Sequence, residues 1–73
     1  MTPVLSGEQL HVLRLLARGL DFPQIEHQHG IDVRTSRSLL ASAMKALGAA
    51  NTTHAVTLAI AHGLIPPDIA LQE

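Results

Sequence analysis

The sequence predicts an all-α domain of four short helices, and three observations carry that prediction. Apolar residues recur at helical spacing rather than in the alternation of a half-buried strand. Each periodic stretch opens on a residue suited to capping a helix N-terminus: Ser6, Asp21, Asp32 and Asn51. Each closes on a glycine: Gly19, Gly30, Gly48 and Gly63. No internal repeat, low-complexity segment or linker divides the 73 residues, so one domain is expected over 1–73, with a core of about 3–65 and a tail of 66–73.

The first helix is expected from Gly7 to Arg18. Ser6-Gly7-Glu8-Gln9 has the form of a capping box, and Leu10, Val12, Leu13, Leu16 and Ala17 make the inward stripe. The second is short. Asp21 caps it, and Pro23 is tolerated in a first turn whose N–H groups have no helical partner. Gln24 reaches back to the cap, Ile25 points inward, Phe22 anchors the entry, and the helix ends near His29.

Asp32 caps the third helix, expected from Val33 to Leu47 and therefore about 22 Å long. Its inward set is Ser36, Leu40, Ala43, Met44 and Leu47, which leaves Arg34, Arg37, Ser38, Ala41, Ser42 and Lys45 pointing outward. Asn51 caps the fourth, expected over Thr52 to His62. Ala55, Val56, Ala59 and Ile60 suit a core, while His54, Leu58, Ala61 and His62 form an outward stripe. Leu64-Ile65-Pro66-Pro67 cannot continue a helix. The tail beyond it is expected to be loose or held by Ile69 and Leu71.

A short helix, a glycine turn and a longer capped helix with a polar, partly basic outer face is the arrangement of a helix-turn-helix, which places its second helix in the DNA major groove. Net charge is −1, but residues 31–65 carry Arg34, Arg37 and Lys45 against Asp32 alone. Positive charge thus gathers on the helix that would need it.

Composition narrows the rest. With no cysteine there is neither a disulfide nor a thiolate metal site, so 47% hydrophobic residues must hold the fold. Phe22 is the lone aromatic, too few for the stacking platforms that bind single strands. Of the five histidines, His27 and His29 lie beside Glu26, an incomplete set for zinc, and no metal or cofactor is expected. No nucleophile elbow, phosphate loop or dinucleotide fingerprint is present, so an enzyme is not expected. No apolar run approaches a membrane span, and a cytoplasmic location is expected.

Leu5-Ser6-Gly7-Glu8-Gln9-Leu10, the following VLRLLARGL, Gln24-Ile25, Gly30-Ile31, Thr35, Lys45, Leu47-Gly48, Asn51, Thr53, Ala55-Val56 and Gly63-Leu64-Ile65 stand in an order and spacing that resemble the LuxR/GerE-type helix-turn-helix DNA-binding domain. In size the chain is like that family's free-standing members. The resemblance implies four helices, the second and third forming the helix-turn-helix. It also implies sequence-specific binding to a two-fold site on double-stranded DNA, with the fourth helix pairing subunits. It places Arg34 and Arg37 where the family faces DNA, and Thr35 and Thr53 near the backbone. The chain departs from the family pattern in several places. Ser36 replaces a usual aliphatic and Leu39 a frequent histidine, while Pro23, His27, His29, Ala46, Ala50 and Thr52 stand where basic residues are frequent.

The expected function is a transcription regulator that binds a palindromic site as a homodimer through helix 33–47. Arg34, Arg37 and Ser38 would probe bases, and Thr35, Ser42, Lys45 and Thr53 would hold the backbone. His54, Leu58, Ala61 and His62 would form the dimer interface. Six neutralised phosphates per dimer would give a log–log salt slope of about −5. The alternative is a protein-interaction module on a degenerate helix-turn-helix. It would bind a sigma factor, another regulator or polymerase through the Leu39 flank or through the fourth helix and tail.

Overall fold

The computed structural model describes residues 3–68. Four helices follow in order: α1 (Gly7–Ala17), α2 (Phe22–His29), α3 (Val33–Leu47) and α4 (Thr52–Ala61), with no strand among the described residues. Ile69 and Leu71 lie outside them. Arg18 and His62, expected as the last residues of the first and fourth helices, cap those helices instead. The reason is the closing turn. Leu20 N–H donates to the Leu15 carbonyl and Gly19 N–H to that of Leu16, so the regular ladder ends with the bond from Arg18 N–H to the Arg14 carbonyl. Leu64 to Ala59 and Gly63 to Ile60 repeat this pairing after α4.

Helix starts are fixed by local chemistry. Ser6 Oγ accepts from Gln9 N–H at 3.1 Å, and Gln9 Oε1 accepts from Ser6 N–H at 2.7 Å. Asp21 and Gln24 make the same reciprocal pair at 2.9 and 2.8 Å. Two donors that a bare helix end would leave to solvent are satisfied each time.

Between α2 and α3 the chain turns on Gly30, whose φ is +72° and whose N–H bonds to the Glu26 carbonyl at 3.0 Å. A Cβ built there meets no atom within 4 Å, so the left-handed backbone alone opposes a side chain. Gly30→Ala is therefore expected to destabilise by about 1 kcal/mol and lower the melting midpoint by roughly 4–8 °C, read by thermal circular dichroism. An unchanged midpoint would mean that this turn does not need the left-handed conformation.

The third helix is the hub. It packs against α1, α2 and α4, and α1 also packs on α4. Leu5, Leu13, Leu40, Ala43, Leu47, Ala55, Ala59 and Ile65 form the buried cluster, and Val12, Leu15 and Ile25 are buried as well. The expected inward set of α3 is buried apart from Met44, which is half-buried against the cluster. Leu15 joins the core because α1 has two packing neighbours and needs a wider apolar side than one stripe supplies. Leu5 and Ile65 close the core from outside the helices. A T-shaped contact of the His11 and His29 rings, 5.5 Å between centroids, joins α1 to the end of α2.

One expectation changes. Leu58 is half-buried and packs against the core cluster, so the outward stripe of α4 is narrower than its spacing suggests. Ser36, inward as expected, is fully buried, and its Oγ has no hydrogen-bond partner. An orphaned hydroxyl of this kind costs about 1–3 kcal/mol. Ser36→Ala removes it with little loss of volume and is expected to raise the denaturation midpoint, corresponding to about 1 kcal/mol more unfolding free energy in chemical unfolding. A lower midpoint would show that the hydroxyl is satisfied after all.

Candidate nucleic-acid interface

Because a helix turns about 100° per residue, burying Ser36, Leu40, Ala43 and Leu47 drives a defined set to the opposite side. Arg34, Ser38, Ala41, Ser42 and Lys45 occupy it, and all are exposed. From Arg34 to Lys45 the strip runs about 16 Å along the axis, the reach of a helix laid in a major groove. The two cations stand at its ends, with hydroxyls and small side chains between them.

The remaining expected residues of α3 sit on its flanks. Arg37 lies toward α2. Its guanidinium carbon is 5.6 Å from the centroid of the Phe22 ring, within range of a cation–π contact. Thr35 lies toward α1. With Leu39, Ile31, Asp32, Glu8 and His11 it lines a groove of about 300 Å³. Leu39 is half-buried there and neither joins the core cluster nor stands free.

Asp32 accepts the Thr35 N–H at 2.6 Å as the N-cap of α3. Hydrogen bonds from Thr35, with a smaller contribution from the Arg34 charge, hold its carboxyl below the usual carboxylate range. The start of α3 thus carries a fixed negative charge beside Arg34. That charge would disfavour a phosphate at this end and favour a base-edge role for Arg34.

Thr53 stands apart from the α3 strip, exposed in the first turn of α4. Asn51 Oδ1 takes the His54 N–H at 2.8 Å. This cap is neutral, so the positive end of the helix dipole is left without a local counter-charge, unlike the ends capped by Asp21 and Asp32. Thr53 is therefore placed where an oxygen-rich anion would be favoured, but on a different element from the other expected contacts.

On α4, His54, Ala61 and His62 are exposed. His54 also has a local duty: its Nδ1 accepts the Ala50 N–H at 3.0 Å, tying the ring back to the turn before α4. With Leu58 turned partly inward, Ala61 and His62 are the members of the expected pairing surface without such an engagement in the described contacts.

Sequence reasoning gave Phe22 only an entry role and did not link it to Arg37. The signal was present: a lone aromatic opening α2 next to an outward arginine on the following helix. The groove beside Leu39 had no comparable signal, because it depends on how α1 crosses α3. No helix among the described residues is long and apolar enough to cross a membrane.

No family model matches the chain, and no solved structure matches it. Among curated proteins it is similar to the "Transcriptional regulatory protein YdfI" of Bacillus subtilis (strain 168), with 36% identity over 64 residues. The matched stretch is 88% of this chain, which spans 30% of the length of that relative.

Proposed function

We propose that this chain is a non-enzymatic, cytoplasmic transcription regulator that binds double-stranded DNA, with α3 as the recognition helix of a LuxR-type helix-turn-helix. One observation carries the reading. The buried side of α3 is complete from Ser36 to Leu47, and the opposite side exposes Arg34, Ser38, Ala41, Ser42 and Lys45 as one polar strip. Similarity to a protein named as a transcriptional regulatory protein supports the same class.

Within this reading Arg34 reads base edges, Ser38 and Ser42 offer hydroxyls, and Lys45 and Thr53 hold phosphates. Arg37 contacts the duplex from the α2 side. Three cations per subunit are too few for tight binding by one copy at physiological salt. The chain therefore works as a pair on a palindromic site, with α4 as the pairing element through Ala61, His62 and the exposed parts of His54 and Leu58. The test is selection of bound fragments from random-sequence duplex DNA by the purified chain at two salt concentrations. Enrichment of one palindrome, with binding that weakens steeply as salt rises, is the expected result. Absence of enrichment at both concentrations overturns the reading.

A second reading rests on the groove between α1 and α3. Leu39 is half-exposed there among Glu8, His11 and Asp32, a surface unsuited to a polyanion. It favours a protein partner from the transcription machinery. Leu39→Ser would weaken that association while leaving DNA binding intact.

A further inference from the structure

We propose that Phe22 is a positioning residue for Arg37: its ring is the platform that holds the guanidinium at the DNA-facing edge of the α2–α3 pair. The inference rests on the DNA reading above and adds a residue to it that no charge or hydrogen-bond count would select. Phe22 opens α2 immediately after its cap, Asp21, and is half-buried against the core cluster, so the ring is fixed from below. Arg37 is on the first half of α3, exposed, with its guanidinium carbon 5.6 Å from the centre of that ring.

An exposed arginine otherwise samples many rotamers, and ordering a side chain of that length on DNA opposes binding. A guanidinium already resting on an aromatic face has lost part of that freedom before the duplex arrives, while its N–H donors at the rim remain available to an acceptor. The contact also couples two elements. Because Phe22 belongs to α2 and Arg37 to α3, the cation–π contact links the arginine to both helices.

The chemistry separates this role from a plain packing role. Phe22→Leu keeps an apolar side chain of similar size against the core and removes the ring face. Phe22→Tyr keeps the ring face. If Phe22 positions Arg37, Phe22→Leu weakens binding to the duplex enriched by the wild-type chain by about three- to fivefold, whereas Phe22→Tyr binds as wild type does. The salt slope is unchanged in both, because the charge count is unchanged, whereas Arg37→Ala lowers its magnitude by about 1 per subunit. In an Arg37→Ala background, Phe22→Leu has no further effect on binding, the signature of two groups acting as one.

Fluorescence anisotropy titrations on the four proteins and their double variant, with thermal melts to confirm folding, make the measurement. Ring-current shifts of the Arg37 side-chain protons by NMR, lost in Phe22→Leu and kept in Phe22→Tyr, report the contact without DNA. Binding by Phe22→Leu equal to wild type, or an equal loss with and without Arg37, overturns the positioning role and leaves the DNA reading standing. A wild-type chain that enriches no duplex overturns both.

Discussion

Replacing Arg34 and Arg37 together with alanine is expected to abolish specific duplex binding at physiological salt and to leave the fold nearly as stable as before. Both side chains are exposed, so neither contributes buried apolar area to the core. An arginine paired with guanine is worth about 1–3 kcal/mol of discrimination. The pair therefore carries about 2–6 kcal/mol per half-site, which is a large part of the margin separating specific from non-specific binding. The salt dependence should change in step. With only Lys45 left on α3, fewer counterions are released on binding, and the slope becomes markedly shallower. Anisotropy titrations over a range of salt, paired with thermal melts, read both quantities. A double variant that binds as tightly and as salt-dependently as the wild type would remove the α3 strip from the interface and move attention to the Leu39 groove.

How far such a residue assignment can be made from sequence depends on the range of the interactions involved. The four helices were legible because their limits are set locally. Ser6 with Gln9, Asp21 with Gln24, and Asp32 with Thr35 are capping partners three residues apart, and the glycines need only their own backbone conformation. The outward strip of α3 was legible for a related reason: once Ser36, Leu40, Ala43 and Leu47 are inward, helical geometry leaves Arg34, Ser38, Ser42 and Lys45 nowhere else to point.

What was not legible depends on how helices cross. Leu15 is buried because α1 meets two neighbours, and Leu58 is half-buried because α4 lies closer to the cluster than a single stripe implies. Leu5 and Ile65 have no helical period to betray them. At the site, the placement of Arg37 over Phe22 and of Glu8 and His11 beside Thr35 and Leu39 follows from the packing of α2 and α1 on opposite flanks of α3. No spacing rule along one helix contains that information.

Leu13→Ala is the substitution expected to damage the fold most, and it separates stability from recognition. Leu13 is fully buried on α1, within the cluster shared with α3 and α4. Truncating a buried leucine costs about 2–5 kcal/mol, combining lost transfer energy with a residual cavity. A chain of this length has roughly 4–11 kcal/mol of stability in all, and a small core lies toward the lower end. The variant should therefore be partly unfolded near physiological temperature, with a circular dichroism melt that is broadened and shifted down. Its weak DNA binding would differ in kind from that of the Arg34/Arg37 double variant. Excess duplex should restore its helicity, because a ligand that binds only the folded state draws the equilibrium toward it. The arginine variant should be equally helical with and without DNA, and excess duplex should not produce specific binding. Leu13→Met, which conserves volume, should sit close to the wild type in both assays. If Leu13→Ala melts as the wild type does, α1 is not bound into the core through this residue. The rigid packing that holds the back of α3, and with it the outward strip, would then have to come from elsewhere.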